Sequence, residues 1–411
     1  MGTEFLKIKE ADEAKEIIKN LFDELYPQKS INIPIEDSHD QVIFKDIDAL
    51  MDLPPFNRSL MDGYAVKAED TFGATDEAPK ILKCIDSIEA GSFSEKTVKN
   101  GECIEISTGA PIPNGSDAIV MVEFTDRENE NEKYDNIYIL KSVAPNQDVA
   151  LQGSDIKKDM LLLKEKTIIS PDKIGVLAGQ GIKEVEVFKK PKIGVISTGN
   201  ELVMENESIE YGKIYDVNSY SIKNAAISNG AEGVYKGIVK DNYHELKTKI
   251  ENSLKDSDIV VCSGGTSAGV GDVLKNVLED IGEVILHGIS VKPGKPTIIG
   301  KVGKKIVIGL PGNPVSALII FYVFIIPNIR RIAGKPGESN AKVNVTLSKR
   351  IHSPKGRMHY SLVHIKEDLA YPIIKDSGAI TSLAHADGYI KIPKNVELLD
   401  EGEKVTVTLF K

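Results

Sequence analysis

The sequence has no tryptophan and three cysteines in 411 residues. Cys84, Cys103 and Cys262 are odd in number and lack CxxC spacing. That excludes a disulfide framework and a zinc knuckle, points to a reducing compartment, and leaves the thiols as small buried apolar groups. The seven histidines show no HExxH spacing, so no catalytic zinc is expected; His287 is read as structural. No GxSxG elbow is present and no histidine motif accompanies Ser197, Ser263 or Ser267, which disfavours a serine triad. The N-terminus has no basic segment leading into an apolar one, and Leu6 stands where a myristoylation signal needs Ser or Thr. The most apolar run, Val315 to Ile326, is shorter than the roughly 20 residues that span a bilayer and is expected to be a buried core helix. A net charge of −10 argues against nucleic acid and anionic membranes as partners, while leaving room for a local basic pocket. A cytoplasmic protein is expected.

What the chain does have is glycine in places where backbone must come close to something. Ile259 to Cys262 reads as a short buried strand, followed by SGGTSAGVGD and a helix over the next residues. Strand, glycine loop and helix N-terminus make a generic anion cradle, because unpaired N–H groups and the helix dipole both favour negative charge. A plain strand-to-helix turn needs glycines too, and the stretch matches neither the Walker A nor the GxGxxG fingerprint.

A chain this long is expected to form several domains. Residues 1 to about 30 read as a helix with Ala14, Ile17, Ile18 and Leu21 at helical spacing, then a β segment INIPIEDS and a second helical piece from Val42 to Leu50. Asp46, Asp48 and Asp52 read as a solvated face. MDLPPFNRSLMDGYAV gives an exposed loop, with Asp62-Gly63 as a turn before a strand. Pro79 to about Leu151 alternates as an all-β module between two helix-bearing pieces, the second starting at Ser170-Pro171, which suggests an insertion. From Pro191 to about Gly334 strands and helices alternate, the pattern of a doubly wound parallel sheet. The remainder, past a Gly/Pro linker, reads as a helix-free β-barrel or sandwich.

In a doubly wound sheet, ligands bind at the carboxyl ends of the strands, where STGNE (197 to 201), Asp241, the SGG loop and LPGNP fall. Glu201, Asp241 and Asp272 there, with Asp62 and Asp155 in loops flanking the inserted module, are the hard oxygen donors that Mg²⁺ takes; helix capping is the alternative for Asp241 and Asp272, and turn formation for Asp62. Lys292 and Lys295 in VKPGKP sit on a loop stiffened by prolines and could hold a phosphate or other oxyanion, or could be two solvated lysines.

Taken in order, PPFNRSLMDGYAV, STGAPIPNGSDAIVM, GSDI, ISTGNEL, IYDVNSY, GIVKDN, SGGTSAGVGD, VKPGKPTIIGK and GLPGNPVSAL resemble the MoeA family of molybdopterin molybdenumtransferases, whose eukaryotic relative is the gephyrin E domain. The resemblance implies a split helical domain (1–50 and 151–188), an inserted β domain carrying MDGYAV (51–150), a molybdopterin-binding α/β domain (189–333) and a C-terminal β-barrel-like domain (338–411). It implies a homodimer in which the α/β domain of one subunit and the inserted domain of the other form one cleft. The implied reaction takes adenylylated molybdopterin and molybdate, or tungstate, cleaves the pyrophosphate bond with Mg²⁺ and releases AMP. Asp62, Asp155, Glu201, Asp241 and Asp272 are implied as catalytic, the last three as metal ligands. Thr108, Ser263, Gly264, Gly265, Ser267, Lys292, Lys295, Pro311, Gly312, Asn313 and Ser382 are implied as substrate-binding. Contact with a molybdopterin adenylyltransferase is a further implied partnership. Two departures stand out: Gly288 replaces a lysine of a bacterial relative, and AsnArgSer replaces the usual AspAsnSer, adding Arg58. The alternatives are the preceding ATP-dependent adenylylation, which would need neither MDGYAV nor the inserted module, and a non-catalytic scaffold of the gephyrin type, against which the retained carboxylates and the lack of a long disordered linker argue.

Overall fold

A computed structural model describes residues 8–128, 135–264, 271–337, 341–374 and 378–410, apart from the side chains of Gly271 and Asp272. It contains two compact units: Met1–Phe44 with Lys166–Ser170 and Glu184–Lys411, and Lys45–Glu165 with Pro171–Lys183.

The first unit starts with α1 (Ala11–Leu25), which buries Ala11, Ala14, Ile18, Leu21 and Phe22 along one stripe. Just past it, the Tyr26 hydroxyl donates to the Asp258 carbonyl at 2.5 Å and accepts from the Ile306 amide at 3.1 Å, tying the helix to two strands of the central sheet. β1 (Ser30–Pro34) pairs antiparallel with β2 (Glu184–Phe188). The expected helix over Val42 to Leu50 does not form. Val42 and Ile43 instead bridge to Ile168 and Val187, because β-branched residues suit a pleated surface and a partner segment is at hand.

The central sheet follows: β3 (Lys192–Thr198), α2 (Asn218–Ser228), β4 (Glu232–Val239), α3 (Tyr243–Asp256), β5 (Ile259–Ser263), α4 (Gly271–Ile281), β6 (Glu283–His287), β7 (Ile298–Val302) and β8 (Lys305–Leu310). Its strand order is β4-β3-β5-β8-β7-β6. The first four are mutually parallel, as the alternation predicts, and β7 and β6 add an antiparallel edge. Alternate residues cover the two faces. Ile193, Val195, Ile259, Val261, Ile306 and Ile308 pack with α2, whereas Ile196, Val260, Cys262 and Val307 pack with α3 and α4. Cys262 is fully buried, and that burial pushes its thiol up to about 12.

After β8 the chain runs as α5 (Pro314–Ile320), a π turn (Phe321–Ile325) and α6 (Ile326–Ile332). The wide π turn accommodates Pro327, which cannot complete a regular helical hydrogen bond. The apolar run is thus part of a 19-residue helix, Pro314–Ile332, long and apolar enough to cross a membrane, yet 72% buried within the core. Beyond it, β9 (Lys342–Leu347), β10 (Met358–Lys366), β11 (Leu369–Pro372), β12 (Gly388–Ile392) and β13 (Lys404–Leu409) close on themselves as a five-stranded barrel. A short helix, Ile380–His385, interrupts this region, where only strands were expected.

The second unit is built on a six-stranded sheet in the order Ala118–Met121, Gly63–Val66, Glu102–Ile106, Lys80–Ile88, Asn136–Ile139, Thr125–Arg127. Tyr64, Val66, Cys84 and Cys103 fill one face and Ala65, Ile104 and Ile119 the other. All three cysteines are free and buried.

Candidate active site

The parallel strands present their carboxyl ends together, and a cleft of about 760 Å³ opens there. Ser197 and Thr198 end β3, Asp241 follows β4, Ser263 and Gly264 end β5, and Pro311 and Gly312 follow β8; all line the cleft, with Glu201 and Asn313. The strand ends are close-packed: a Cβ on Gly264, at φ +102°, would stand 2.1 Å from the Thr198 carbonyl. Only glycine fits there.

Asp241 is not the helix cap that spacing allowed. Its neighbour Asn242 caps α3, accepting from the amides of His244 at 3.0 Å and Glu245 at 3.1 Å. That leaves the Asp241 carboxylate to the cleft, held by the Thr198 hydroxyl, which donates to Oδ1 at 2.6 Å. Glu201 folds over Gly199, where an added Cβ would meet its carboxylate oxygens at 2.6 and 2.7 Å.

Two further residues come from the IYDVNSY stretch, for which no role was assigned. Buried Asp216 accepts from Ser197 Oγ at 2.8 Å and from the Ser219 amide at 3.2 Å, and its other oxygen accepts from Ser219 Oγ. Both its oxygens are engaged, and it holds the β3 end. Asn218 Nδ2 donates to Ser263 Oγ at 2.9 Å and to the Gly312 carbonyl at 2.6 Å, joining the ends of β5 and β8. Gly265, Ser267 and the side chain of Asp272 lie outside the described residues.

A second cavity, about 490 Å³, adjoins the first; Pro296 belongs to both walls. It gathers Lys292, Lys295 and Ser382 with Arg357 and His359, two residues without any local motif. They come from the barrel, because Val291–Lys292 pairs in parallel with Met358–His359 of β10 and so puts His359 beside Lys292. Arg357, just before β10, and His359, Tyr360, Ser361 and Leu362 of β10 line this cavity. Among the described residues no carboxylate pairs with Lys292, Lys295 or Arg357. Ser382 Oγ and His359 Nδ1 are buried without a hydrogen-bond partner. Three unpaired cations beside unpaired buried polar atoms make an anion receptacle. Gly288 sits at φ 98°, a conformation that glycine adopts without strain.

In the second unit, Asp62 and Thr108 are brought together. The Thr108 amide donates to Asp62 Oδ1 at 2.7 Å and its hydroxyl donates to the same oxygen at 3.0 Å. These bonds, the amide's first, hold the exposed carboxyl below the usual range. Asp155 is exposed in the loop that follows Gly153. That loop is sewn to the Pro54–Asn57 segment: Gln152 donates its amide to Asn57 Oδ1 at 2.8 Å, and Gly153 donates to the Pro54 carbonyl at 3.0 Å. Asp52 and Asp46, read as a solvated face, are staples. Asp52 accepts from Gln152 Nε2 at 2.8 Å and the Lys158 amide at 2.9 Å, and Asp46 from the Glu165 amide at 2.7 Å. Arg58 is exposed on a two-residue strand (Arg58–Ser59) paired with Val149–Ala150, in which Ser59 is buried.

Comparison with known proteins matches residues 9–181 to the MoeA N-terminal region (domain I and II), 194–331 to a probable molybdopterin binding domain and 344–410 to the MoeA C-terminal region (domain IV). A Methanocaldococcus jannaschii protein named for molybdopterin biosynthesis is 36% identical over 406 residues, covering 97% of this chain and 96% of its own. The molybdopterin molybdenumtransferase of Bacillus subtilis is 32% identical over 385 residues, covering 92% and 89%. The crystal structure of a molybdopterin biosynthesis MoeA protein from Pyrococcus horikoshii superposes with a TM-score of 0.85 at 39% identity, covering 98% of this chain and 100% of that one. With its α/β cleft, its closed barrel and matches of this length on both sides of them, the chain belongs to the MoeA family.

Proposed function

We propose that the chain is a molybdopterin molybdenumtransferase of molybdenum cofactor biosynthesis: it inserts molybdate, or tungstate, into adenylylated molybdopterin, cleaves the pyrophosphate bond and releases AMP. The observation that carries this reading is the carboxylate-bearing cleft with a cation-lined pocket against it, Pro296 common to both. One chamber suits an extended substrate and the other a small tetrahedral dianion.

In this reading Ser263, Gly264, Pro311, Gly312 and Asn313 position the nucleotide and pterin, joined by Gly265 and Ser267 of the same loop. Lys292, Lys295, Arg357 and Ser382 hold the oxyanion. Glu201 and Asp241, with Asp272, would hold Mg²⁺. Among the described residues no three His, Cys, Asp or Glu side chains gather around one point; this fits an ion that is typically bound by one or two carboxylates plus substrate phosphates. When bound, Mg²⁺ neutralises charge on the pyrophosphate oxygens. Thr198 holds Asp241 in place for this, and Asn218 keeps the two phosphate-facing loops in register.

The chain works as a homodimer, in which Asp62, Thr108 and Asp155 of one copy act on substrate held by the α/β domain of the other. The four-part division at 1–50 with 151–188, 51–150, 189–333 and 338–411 belongs to this proposal, as do a cytoplasmic setting and substrate delivery by contact with a molybdopterin adenylyltransferase. With ATP and free molybdopterin the protein should form no adenylylated molybdopterin; its formation would point to the preceding reaction and overturn the assignment. Asn218→Ala, which removes two hydrogen bonds between loops, is expected to raise KM for adenylylated molybdopterin roughly tenfold. Calorimetric titration of molybdate alone should be unchanged.

A further inference from the structure

A third cavity, of about 420 Å³, lies where the end of α2, the α5–α6 helix and the barrel region meet. It shares no lining residue with the carboxylate-bearing cleft or the cation-lined pocket. Leu318, Tyr322, Leu383 and Phe410 give it apolar walls, and Asn229 and Arg330 give it polar ones. The rings of Tyr322 and Phe410 stand 4.9 Å apart, centroid to centroid. The half-buried Arg330 is fixed against this wall. Its Nε donates to the Pro336 carbonyl at 2.7 Å and its Nη1 to Asn229 Oδ1 at 3.0 Å, while Asn229 is itself pinned by donating to the Ala225 carbonyl at 2.8 Å. Arg330 Nη2 has no partner among the described residues and is not a buried atom, so a ligand can reach it. No carboxylate pairs with Arg330, and burial pulls its guanidinium below the usual value with no opposite charge to offset it. Lys335, whose stem lies over Gly230, adds positive charge nearby; burial first, then Arg330 and Lys190, pull its ammonium down, and Asp40 acts in the opposite sense without an ion pair.

We propose that this cavity is a second binding site, for a small aromatic carboxylate whose acid group pairs with Arg330 and whose ring packs against Tyr322 and Phe410. Asn229 takes one of the two Nη1 hydrogens and nothing takes those of Nη2, so the outer edge of the guanidinium still offers donors to both oxygens of one carboxylate. In a chain with 61 acidic and 51 basic side chains, a half-buried guanidinium left without a carboxylate is what a ligand anion would complete, because a partly desolvated charge gains from being paired. Both halves of the ligand are needed. Inorganic phosphate would leave the apolar walls uncovered, and a neutral ring would leave the cation unpaired. A flat ring suits an aromatic wall, and the volume is in the range of small-molecule sites. The site is independent of the reaction assigned to the cleft.

The test is calorimetric titration of the full-length protein with 3-phenylpropionate, with its neutral amide, and with propionate, which keeps the acid and lacks the ring. The wild type should bind 3-phenylpropionate once per chain, and the amide and propionate each about tenfold or more weakly. Arg330→Gln should also bind 3-phenylpropionate about tenfold or more weakly. Thermal melting establishes that this variant is folded; if it is not, the comparison of acid with amide on the wild type decides the charge contact. Lys292→Ala, in the separate cation-lined pocket, should bind 3-phenylpropionate within about twofold of wild type. The proposal is overturned by an amide or propionate that binds as tightly as 3-phenylpropionate, by unchanged affinity in folded Arg330→Gln, or by loss of binding in Lys292→Ala, which would place the anion in the other pocket. No saturable binding of 3-phenylpropionate up to about 10 mM would overturn it as well.

Discussion

Asp241→Asn should lower molybdate-dependent AMP release by about 10²–10³-fold, the size of loss that follows removal of one preorganised partner of a developing charge. The substitution keeps the shape of the side chain and keeps Oδ1 as an acceptor for the Thr198 hydroxyl now 2.6 Å away. It removes only the negative charge. Asp241 carries no capping duty, because Asn242 satisfies the first turn of α3, so stability should stay within the roughly 0.5 kcal/mol typical of substitutions that break no structural contact. A structural role predicts the opposite pattern, with a lower melting temperature and a preserved turnover rate. Steady-state AMP release and differential scanning calorimetry on the same preparation separate the two.

Asp62→Ala should be comparably severe, although Asp62 stands on the exposed surface of the other compact unit. Both its bonds, from the Thr108 amide and hydroxyl, fall on Oδ1. They keep the carboxyl ionised to lower pH than its ordinary 3.8. The folded pKa is thus depressed, and any stability it gives is present above the unfolded pKa and lost only in acid. At neutral pH that contribution is present and is lost on substitution, so a small drop in melting temperature should accompany a far larger loss of catalysis. Because the proposed dimer supplies Asp62 and Asp241 to one cleft from different copies, the two inactive variants should complement each other. Random exchange in a symmetric dimer makes half the dimers mixed, each with one intact cleft, so an equimolar mixture should regain about a quarter of wild-type activity. No recovery after verified subunit exchange would place both residues on the same subunit's cleft or outside it.

The site was legible where local geometry demanded particular residues. Gly264 is required by a left-handed backbone and a carbonyl 2.1 Å from any Cβ, and KIVIGLPGNP is a strand, a Pro-Gly turn and a helix start at the carboxyl end of the sheet. The strands of the C-terminal domain were visible in their alternation, which left barrel and sandwich both open; the pairing of β10 with β12 closes it as a barrel. Arg357 and His359 were not legible. They reach the pocket only because β10 pairs with Val291–Lys292, and a nonlocal pairing leaves no spacing signal. Asn218 and Asp216 sat in a quoted motif, yet their roles depend on which strand ends meet. The second helical piece was misread because Val42 and Ile43 are apolar enough for either structure, and the available partner strand decided. Asp46 is exposed and Asp52 partly so, as expected of a solvated face, but their bonds were not legible: the amides they bind lie more than a hundred residues away in sequence, Asp46 to Glu165 and Asp52 to Lys158.

The central claim is that cleavage of the substrate's pyrophosphate bond is coupled to capture of a metal oxyanion. It is tested most directly by incubating the full-length protein with adenylylated molybdopterin and Mg²⁺, without ATP, and following AMP with and without molybdate. The account predicts AMP release that depends on molybdate or tungstate and is not supported by sulfate. AMP release at the same rate without any metal oxyanion, or release only when ATP is added, would contradict it.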